Sequence, residues 1–306
     1  MDVIVENLSK SFGTQKAVDA VSFSVKKGEI LGILGPNGAG KTTIMKILTG
    51  FLFPNEGNVF IGGGSIFKKA HKIKQHIGFL SESNPLYDDM NVIDFLKFIA
   101  DIHNIPRYRM PTRIQDMLRI CGLEHERHKT IRELSKGYKQ RIGIAQALIH
   151  EPEVIIFDEP TTGLDPNQIF EIRELIRQIG KERTILLSSH ILAEMEAMCN
   201  RVLILNKGKI VANNTPDELR NPSSHRILDI CIQNGDIADI CSKLSLIEGL
   251  HEVRVTAHEK IRVHASTDGG IEKAIFALCV TNDWYITEMT PVEKGLEDIF
   301  RQLTQN

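Results

Sequence analysis

The sequence predicts an α/β protein with a mostly parallel core sheet, followed by a small C-terminal α+β domain. Two observations support this prediction. Up to about residue 215, short β-branched apolar runs alternate with longer helical patterns, as in a parallel sheet that is flanked by helices. After residue 220 a different rhythm of strands and helices begins.

Composition excludes several classes of protein. Of the 306 residues, 42% are hydrophobic and 25% are charged, and the formal net charge is −2. This balance is typical of a folded globular protein and disfavours disordered, collagen-like and disulfide-stapled chains. Without a concentrated basic region, nucleic acid is not an expected partner. We also expect neither a membrane span nor a secretory signal, and five scattered cysteines favour a cytoplasmic location.

The elements of the first region follow from their apolar patterns. Short apolar runs predict buried strands at 30–34, 154–157 and 184–187. Since ligands of such sheets bind at the carboxyl ends of the strands, the residues after these runs are the candidate functional residues. Between 85 and 135, apolar residues recur at helical spacing on both sides of the breaker IPRYRMP. They predict a helical insert.

A second domain is predicted after a proline-containing segment at 215–224. We therefore assign 1–220 to the first domain and 221–306 to an accessory or regulatory domain. Predicted strands lie at 226–232, 251–257, 261–265 and 284–287, and predicted helices at 237–247, 271–280 and near 296–303. The order β-α-β-β-α-β is typical of a ferredoxin-like module. It carries no motif for chemistry, so a structural or dimer-stabilising role is favoured over ligand sensing.

A glycine-rich loop follows the first buried run and fits the pattern GxxxxGK[ST], with a helical pattern at 44–49 after it. Glycines allow backbone N–H groups to converge on phosphate oxygens at a helix N-terminus. Lys41 would reach the β- and γ-phosphates, and Thr42 would offer its hydroxyl to Mg²⁺. The candidate nucleotide-binding residues of the loop are Gly35, Pro36, Asn37, Gly38, Ala39, Gly40, Lys41, Thr42 and Thr43.

Two acids and a histidine follow other buried runs. Asp158 and Glu159 come directly after the run at 154–157. Asp158 is suited to hold Mg²⁺, and Glu159 to orient or deprotonate the attacking water for phosphoryl transfer. His190 follows the run at 184–187, and we expect its imidazole to face the γ-phosphate. A strand that ends in Asp-Glu often simply meets solvent, but the glycine loop favours the catalytic interpretation.

Together these motifs resemble the ATP-binding cassette (ABC) ATPases. The sequence adds LSKGYKQR at 134–141 and PTTGLD at 160–165, in the order and spacing of that family. The resemblance covers about residues 2–215. It implies a P-loop NTPase cassette with an antiparallel β part, ATP and Mg²⁺ as ligands, and ATP hydrolysis. The run at 134–168 looks closest to the cassette subunit associated with gliding motility, in the export-type branch.

The resemblance also implies a dimer. Two cassettes, either copies of this chain or paralogues, would bind ATP head to tail. Ser135 and the N–H of Gly137 would contact the γ-phosphate held by the other cassette. Leu164 and Asp165 would lie in the loop that joins the two sites. Phe12 matches the aromatic residue that stacks on adenine, and a core phenylalanine is the alternative interpretation.

Two departures from the family pattern affect the predicted site. The signature has Lys136 and Tyr138 where Gly and Gln are common, but it keeps Ser135 and Gly137, so dimer closure is still expected. Glu82 stands where the family usually has Gln as a magnesium ligand and as a link to the membrane partner. A carboxylate can still offer oxygen to the ion, but it adds negative charge beside phosphate.

By resemblance, the chain is the ATP-hydrolysing subunit of a transporter. It would drive a separate integral membrane permease, which would hold it at the cytoplasmic face of the cell membrane. Two alternatives stay open. A soluble cassette ATPase acting on ribosomes or DNA would generally carry two cassettes or a long coiled coil, and only one short cassette is visible in this sequence. A P-loop kinase would have no use for the LSKG signature.

Overall fold

The computed structural model describes residues 1–68, 70–220, 226–256, 260–265 and 270–291. The chain divides into two compact units, Met1–Pro216 and Asp217–Asn306. The assignment of 1–220 and 221–306 to a cassette and an accessory domain stays a prediction. Within the described ranges, every helix is too short or too polar to cross a bilayer.

Ten strands form two sheets in the first unit. They are β1 (Val3–Phe12), β2 (Gln15–Val25), β3 (Ile30–Leu34), β4 (Glu56–Ile61), β5 (Gly64–Ser65), β6 (Ile77–Leu80), β7 (Val154–Asp158), β8 (Thr184–Ser189), β9 (Arg201–Asn206) and β10 (Lys209–Asn214). The smaller sheet is antiparallel, with the order β2-β1-β4-β5, and the larger has the order β10-β9-β3-β8-β7-β6.

The larger sheet confirms the predicted parallel core. Its strands β9, β3, β8, β7 and β6 are parallel to their neighbours, and only the edge strand β10 is antiparallel. Every residue of β3, β7 and β8 is buried. That burial explains why these strands are continuous apolar runs rather than alternating ones.

The helices of the first unit include the predicted insert. Before the insert lie α1 (Lys41–Leu48) and α2 (Ala70–Lys74), and within it α3 (Val92–Ile102) and α4 (Met110–Ile120). A 3₁₀ turn at Ile131–Glu133 leads to α5 (Lys136–Leu148), α6 (Pro166–Gly180) and α7 (Leu192–Met198), and α8 (Pro216–Arg220) spans the unit boundary.

Helix α1 begins three residues before the predicted pattern at 44–49. Its first turn is polar, so hydrophobic periodicity does not detect it. The helix is held by Ile44, Met45, Ile47 and Leu48, which are fully buried in a core shared with both sheets. Burial of each such side chain contributes about 1.5–3 kcal/mol. The start of α1, which follows the glycine loop, is therefore fixed firmly against the sheets.

The second unit has the predicted β-α-β-β-α-β order. Its elements are β11 (Arg226–Gln233), α9 (Ile237–Leu244), β12 (Leu250–Val255), β13 (Ile261–Ala265), α10 (Ile271–Thr281) and β14 (Tyr285–Pro291). The antiparallel sheet has the order β12-β13-β11-β14, which is the ferredoxin-like arrangement. Both helices contribute to one apolar core with the sheet and Trp284. The helix predicted near 296–303 lies outside the described residues.

A stacked pair of histidines lies between the helical insert and the parallel sheet. His103 ends α3 and His150 follows α5, and their ring centroids are 3.9 Å apart with 2° between the ring planes. The Nε2 atom of His150 lies 3.0 Å from the carbonyl oxygen of Ile77 on β6. Burial, with the nearby His103 and Arg113, lowers the pKa of His150 to about 4. Burial also lowers the pKa of His103.

We expect this pair to make the fold less stable in mild acid. An unfolded histidine takes up a proton near pH 6.5, whereas folded His150 does so only near pH 4. The free energy of unfolding should therefore fall as the pH drops from about 6.5 towards 4. The variant His150→Gln, whose amide can still donate to Ile77, should weaken this pH dependence. Urea unfolding at several pH values measures the effect.

The exposed His125 provides a matched control. His125→Gln should leave the pH dependence of stability unchanged. An equal dependence in the wild-type chain and in His150→Gln would contradict the prediction.

Candidate functional site

The candidate site lies at the carboxyl edge of the parallel strands. Strand β3 leads into the glycine loop, β7 ends at Asp158, β8 ends just before His190, and Glu82 follows β6. Asp158 itself lines a neighbouring cavity, and the segments that follow these strands line a cavity of about 430 Å³. Its lining residues are Phe12, Gln15, Ala17, Asn37, Gly38, Ala39, Gly40, Lys41, Thr42, Thr43, Glu82, Glu159, Thr162 and His190.

This cavity brings together most of the predicted site residues. Gly35 and Pro36 lie at the base of the loop, where Lys41 contacts their carbonyl oxygens. Sequence reasoning missed Gln15, Ala17 and Thr162, which also line the cavity. The only sequence signal that placed Gln15 and Ala17 near the site was their position three and five residues after Phe12.

The glycine loop packs directly against the backbone of strands β2 and β9. Gly40 has φ 108°, and a Cβ atom there would lie 2.4 Å from the carbonyl oxygen of Ala17 on β2. A Cβ atom on Gly35 would lie 2.5 Å from the carbonyl oxygen of Leu205 on β9. Only glycine fits at these positions, because any side chain would collide with backbone.

Lys41 connects the glycine loop to the end of β7. Its side chain is buried, and Nζ donates to the carbonyl oxygen of Gly35 at 2.8 Å. The same nitrogen lies 3.4 Å from Oε1 of Glu159. A positive charge is thus held between the loop and a carboxylate, where a phosphate oxygen could approach it.

Asp158 and Thr42 form a pair of hard oxygen donors. Oγ1 of Thr42 lies 3.4 Å from Oδ1 of Asp158, and Ser188 donates to the same oxygen at 2.6 Å. Burial raises the pKa of Asp158, while the bonds from Ser188 and Thr42 oppose that shift. Hydroxyl and carboxylate oxygens are the ligands that Mg²⁺ prefers, and a cation would offset the burial of this acid. These residues therefore fit a magnesium ion.

Glu159 is held by contacts on both its backbone and its side chain. Its φ of 51° is left-handed, a conformation that costs a residue other than glycine about 1–3 kcal/mol. The N–H donates to Oγ of Ser188 at 2.9 Å. On the side chain, Oε2 accepts from Thr162 Oγ1 at 3.2 Å and lies 2.9 Å from Nδ1 of His190. The carboxylate is thus presented to the cavity in one orientation.

Phe12 is not a core residue. Its side chain is 52% exposed and lines the cavity, and Nζ of Lys10 lies 5.5 Å from the centre of its ring. An exposed aromatic ring beside a phosphate loop is available for stacking on a planar base.

Ser135 and Gly137 of the signature are not among the residues that line this cavity. Ser135 is the N-cap of α5, where its hydroxyl lies 3.5 Å from the N–H of Tyr138. A Cβ atom on Gly137 would lie 2.8 Å from the side chain of Gln168 on α6. Gln140 of α5 donates to the carbonyl oxygen of Pro160 at 2.7 Å. The signature and the segment 160–168 are therefore packed together.

A second cavity of about 660 Å³ flanks the first. Thr42, Glu82 and Thr162 line both cavities. The other residues that line the second one are Lys46, Phe51, Phe79, Ser81, Ser83, Pro85, Lys136 and Asp158. Phe51 is 80% exposed, and sequence reasoning did not single it out.

Comparison with known proteins agrees with this fold. The family described as ABC transporter matches residues 18–162. The bacitracin transport ATP-binding protein BcrA of Bacillus licheniformis is 37% identical over 301 residues, which cover 97% of this chain and 95% of BcrA. The linearmycin resistance ATP-binding protein LnrL of Bacillus subtilis (strain 168) is 32% identical over 304 residues, which cover 98% of this chain and 97% of LnrL.

A solved structure of similar fold is that of cbiO1 from Clostridium perfringens, part of the ABC transporter complex cbiONQ. It is 31% identical and superposes with a TM-score of 0.66, covering 71% of this chain and 89% of cbiO1. The predicted P-loop NTPase cassette is thereby confirmed. This chain belongs to the ABC transporter family as an ATP-binding subunit. It is an ATPase.

Ser188 should contribute to stability as well as to the site. In Ser188→Ala the buried N–H of Glu159 loses its acceptor, and Asp158 loses the closer of its two hydroxyl donors. We expect the free energy of unfolding to fall by about 1–3 kcal/mol, as measured by chemical denaturation. The exposed Ser83 is the control, and Ser83→Ala should change stability by less than about 0.5 kcal/mol. Equal stability of the two variants would contradict the prediction.

Proposed function

We propose that this chain is the ATPase subunit of an export-type ABC transporter, in which two cassettes bind ATP between them and drive a separate membrane permease. The observation that carries this proposal is the separation of two groups of residues. The glycine loop, Glu159 and His190 line one cavity, whereas Ser135 and Gly137 lie outside it. A second copy or a paralogous cassette would supply the signature that this site lacks.

In this proposal the glycine loop binds the phosphates and Phe12 stacks on adenine. The buried position of Lys41 beside the loop suits contact with the β- and γ-phosphates. Thr42 and Asp158 would hold Mg²⁺, with Glu82 as a further candidate ligand. The ion offsets phosphate charge when it is bound. The exposed carboxylate of Glu82 reaches the same cavity, which supports its candidacy.

Glu159 would act on the attacking water. Its carboxylate faces the cavity and is oriented by Thr162 and His190, so it can accept a proton from a water in line with the γ-phosphate. His190 is the second group beside that phosphate. With 45% of its side chain exposed, it can contact Glu159 and the nucleotide together.

ATP would hold two cassettes closed, because its γ-phosphate contacts both of them. Hydrolysis removes this bridge and allows the cassettes to separate. The free energy that moves the permease then comes from the different affinities of the closed and open states for the nucleotide.

The permease would contact the helical insert and the loop that carries Glu82. The second cavity supports this part of the proposal, because it combines the exposed Phe51 with Glu82 and Asp158 of the ATP site. A segment bound there would sense changes at the nucleotide. The chain would then lie on the cytoplasmic face of the membrane through its partner. The names of BcrA and LnrL refer to bacitracin transport and linearmycin resistance, and membership of the gliding motility branch stays a prediction.

Glu159→Gln should trap the dimer. The amide keeps the shape of the side chain but cannot take a proton from water, so ATP should stay intact and the chain should dimerise. Light scattering after size exclusion, with and without ATP, measures the mass. A Glu159→Gln chain that binds ATP and stays monomeric would contradict the sandwich.

Lys41→Ala is the matched control, because it should lose phosphate binding and stay monomeric at the same ATP concentration. Full ATPase activity in Lys41→Ala would exclude the proposed role of the loop.

The membrane partner can be tested by purification of the tagged chain from solubilised membranes. We expect an integral membrane protein to copurify, and Phe51→Glu to reduce its yield because a charge at this exposed aromatic position disrupts an apolar contact. ATP binding by Phe51→Glu should be unchanged. Copurification of ribosomes in place of a membrane protein would favour the soluble alternative.

A further inference from the structure

We propose that Glu194 is a positioning residue for ATP hydrolysis, and that it fixes the two segments that hold Glu159. This inference rests on the roles proposed above for Glu159 and His190. Glu194 lies on α7 and does not line either of the cavities described above. It would act on the reaction through the residues that it binds.

Glu194 is a buried carboxylate whose contacts are hydroxyl groups. Its side chain is 3% exposed. Oε2 accepts from Thr161 Oγ1 at 2.6 Å and from Ser189 Oγ at 3.0 Å, while the buried Oε1 has no hydrogen-bond partner among the described residues. A buried carboxylate costs free energy that an apolar side chain of similar size would not cost. Packing alone therefore does not account for this residue.

The two hydroxyls belong to the immediate neighbours of the groups that orient Glu159. Thr161 precedes Thr162, whose hydroxyl donates to Oε2 of Glu159 at 3.2 Å. Ser189 precedes His190, whose Nδ1 lies 2.9 Å from the same oxygen. One carboxylate on α7 thus ties together the two segments that meet at Glu159.

A second hydrogen bond holds the segment around His190 in place. Oγ of Ser189, which donates to Glu194, accepts from the N–H of Ile191 at 3.0 Å. The backbone on both sides of His190 is therefore fixed to one serine hydroxyl. Without Glu194 that hydroxyl loses its acceptor, and His190 and Thr162 can move independently of each other. Groups that must stand within hydrogen-bond distance of reacting atoms are sensitive to such a displacement.

Steady-state ATPase measurements on Glu194→Ala and Glu194→Gln test the proposal. We expect kcat to fall about 10- to 100-fold in Glu194→Ala, since small displacements of reacting groups cost this much. The Kd for ATP should stay within about twofold of the wild-type value, because no group that binds nucleotide is removed. Glu194→Gln keeps one oxygen acceptor and should lose less activity. The exposed Glu174 on α6 is the matched control, and Glu174→Gln should keep the wild-type kcat.

A double-mutant cycle separates positioning from a general structural defect. Since Glu194 acts through His190 on one of its two segments and through Thr162 on the other, Glu194→Ala should lower kcat by a clearly smaller factor in a His190→Ala background than in the wild-type background. If the factors by which Glu194→Ala and His190→Ala each lower kcat simply multiply in the double variant, the proposal is overturned. Should Glu194→Ala fail to fold, Ser189→Ala and Thr161→Val each remove one of the two bonds. Wild-type kcat in both of these variants would also overturn it.

The same variants distinguish a failure of the role proposed for His190 from a failure of the positioning role proposed for Glu194. Wild-type kcat in His190→Ala would contradict the proposed role of His190, and the part of the positioning role that acts through His190 would fall with it. Loss of activity in His190→Ala, together with wild-type kcat in Glu194→Gln and Glu194→Ala, would overturn the positioning role alone.

Discussion

The parallel alignment of β3, β8 and β7 determines which chemical groups meet at the site. Three chain segments far apart in sequence end side by side, and their carboxyl ends present the glycine loop, His190 and Glu159 to one cavity, with Asp158 beside it in the flanking cavity. The register matters as much as the direction. Asp158 is paired with Ser188, so the serine that follows the apolar part of β8 lies beside the acid. A shift of one residue would turn that serine to the opposite face of the sheet.

Burial of charge is the main energetic feature of this edge. Asp158, Glu159 and Glu194 are each less than a tenth exposed, and the buried ammonium of Lys41 contacts Glu159. Neutral hydroxyls supply most of the remaining hydrogen bonds. Ser188 donates to Asp158, Thr162 donates to Glu159, and Thr161 and Ser189 donate to Glu194. A hydroxyl can donate to a carboxylate without adding charge of its own. Binding of cations by such an edge is therefore electrostatically favourable.

Much of the fold could be predicted because its signals are local. The glycine loop is a contiguous pattern, and buried parallel strands are recognisable as short apolar runs followed by polar residues. Ser188 and Glu194 show the limit of that reasoning. A serine at the end of a strand and an acid on a helix both suggest solvent exposure. Their burial depends on packing of α7 against β3 and β8 and on pairing of β8 with β7, which no single segment of sequence encodes. The early start of α1 was missed for a related reason, because its first turn is polar.

Because Gly40 lies in close contact with the backbone of Ala17, the nucleotide-binding module includes strands that precede the glycine loop. The loop closes against the backbone of β2, and the aromatic residue beside the cavity lies at the end of β1. The N-terminal hairpin is thus a wall of the binding pocket. A fragment that started at β3 would contain every residue of the phosphate-binding pattern, but the side of the cavity formed by β1 and β2 would be open to water. A segment that keeps the whole cavity must therefore extend upstream of the glycine loop at least to Phe12, some twenty residues before the first glycine of the pattern.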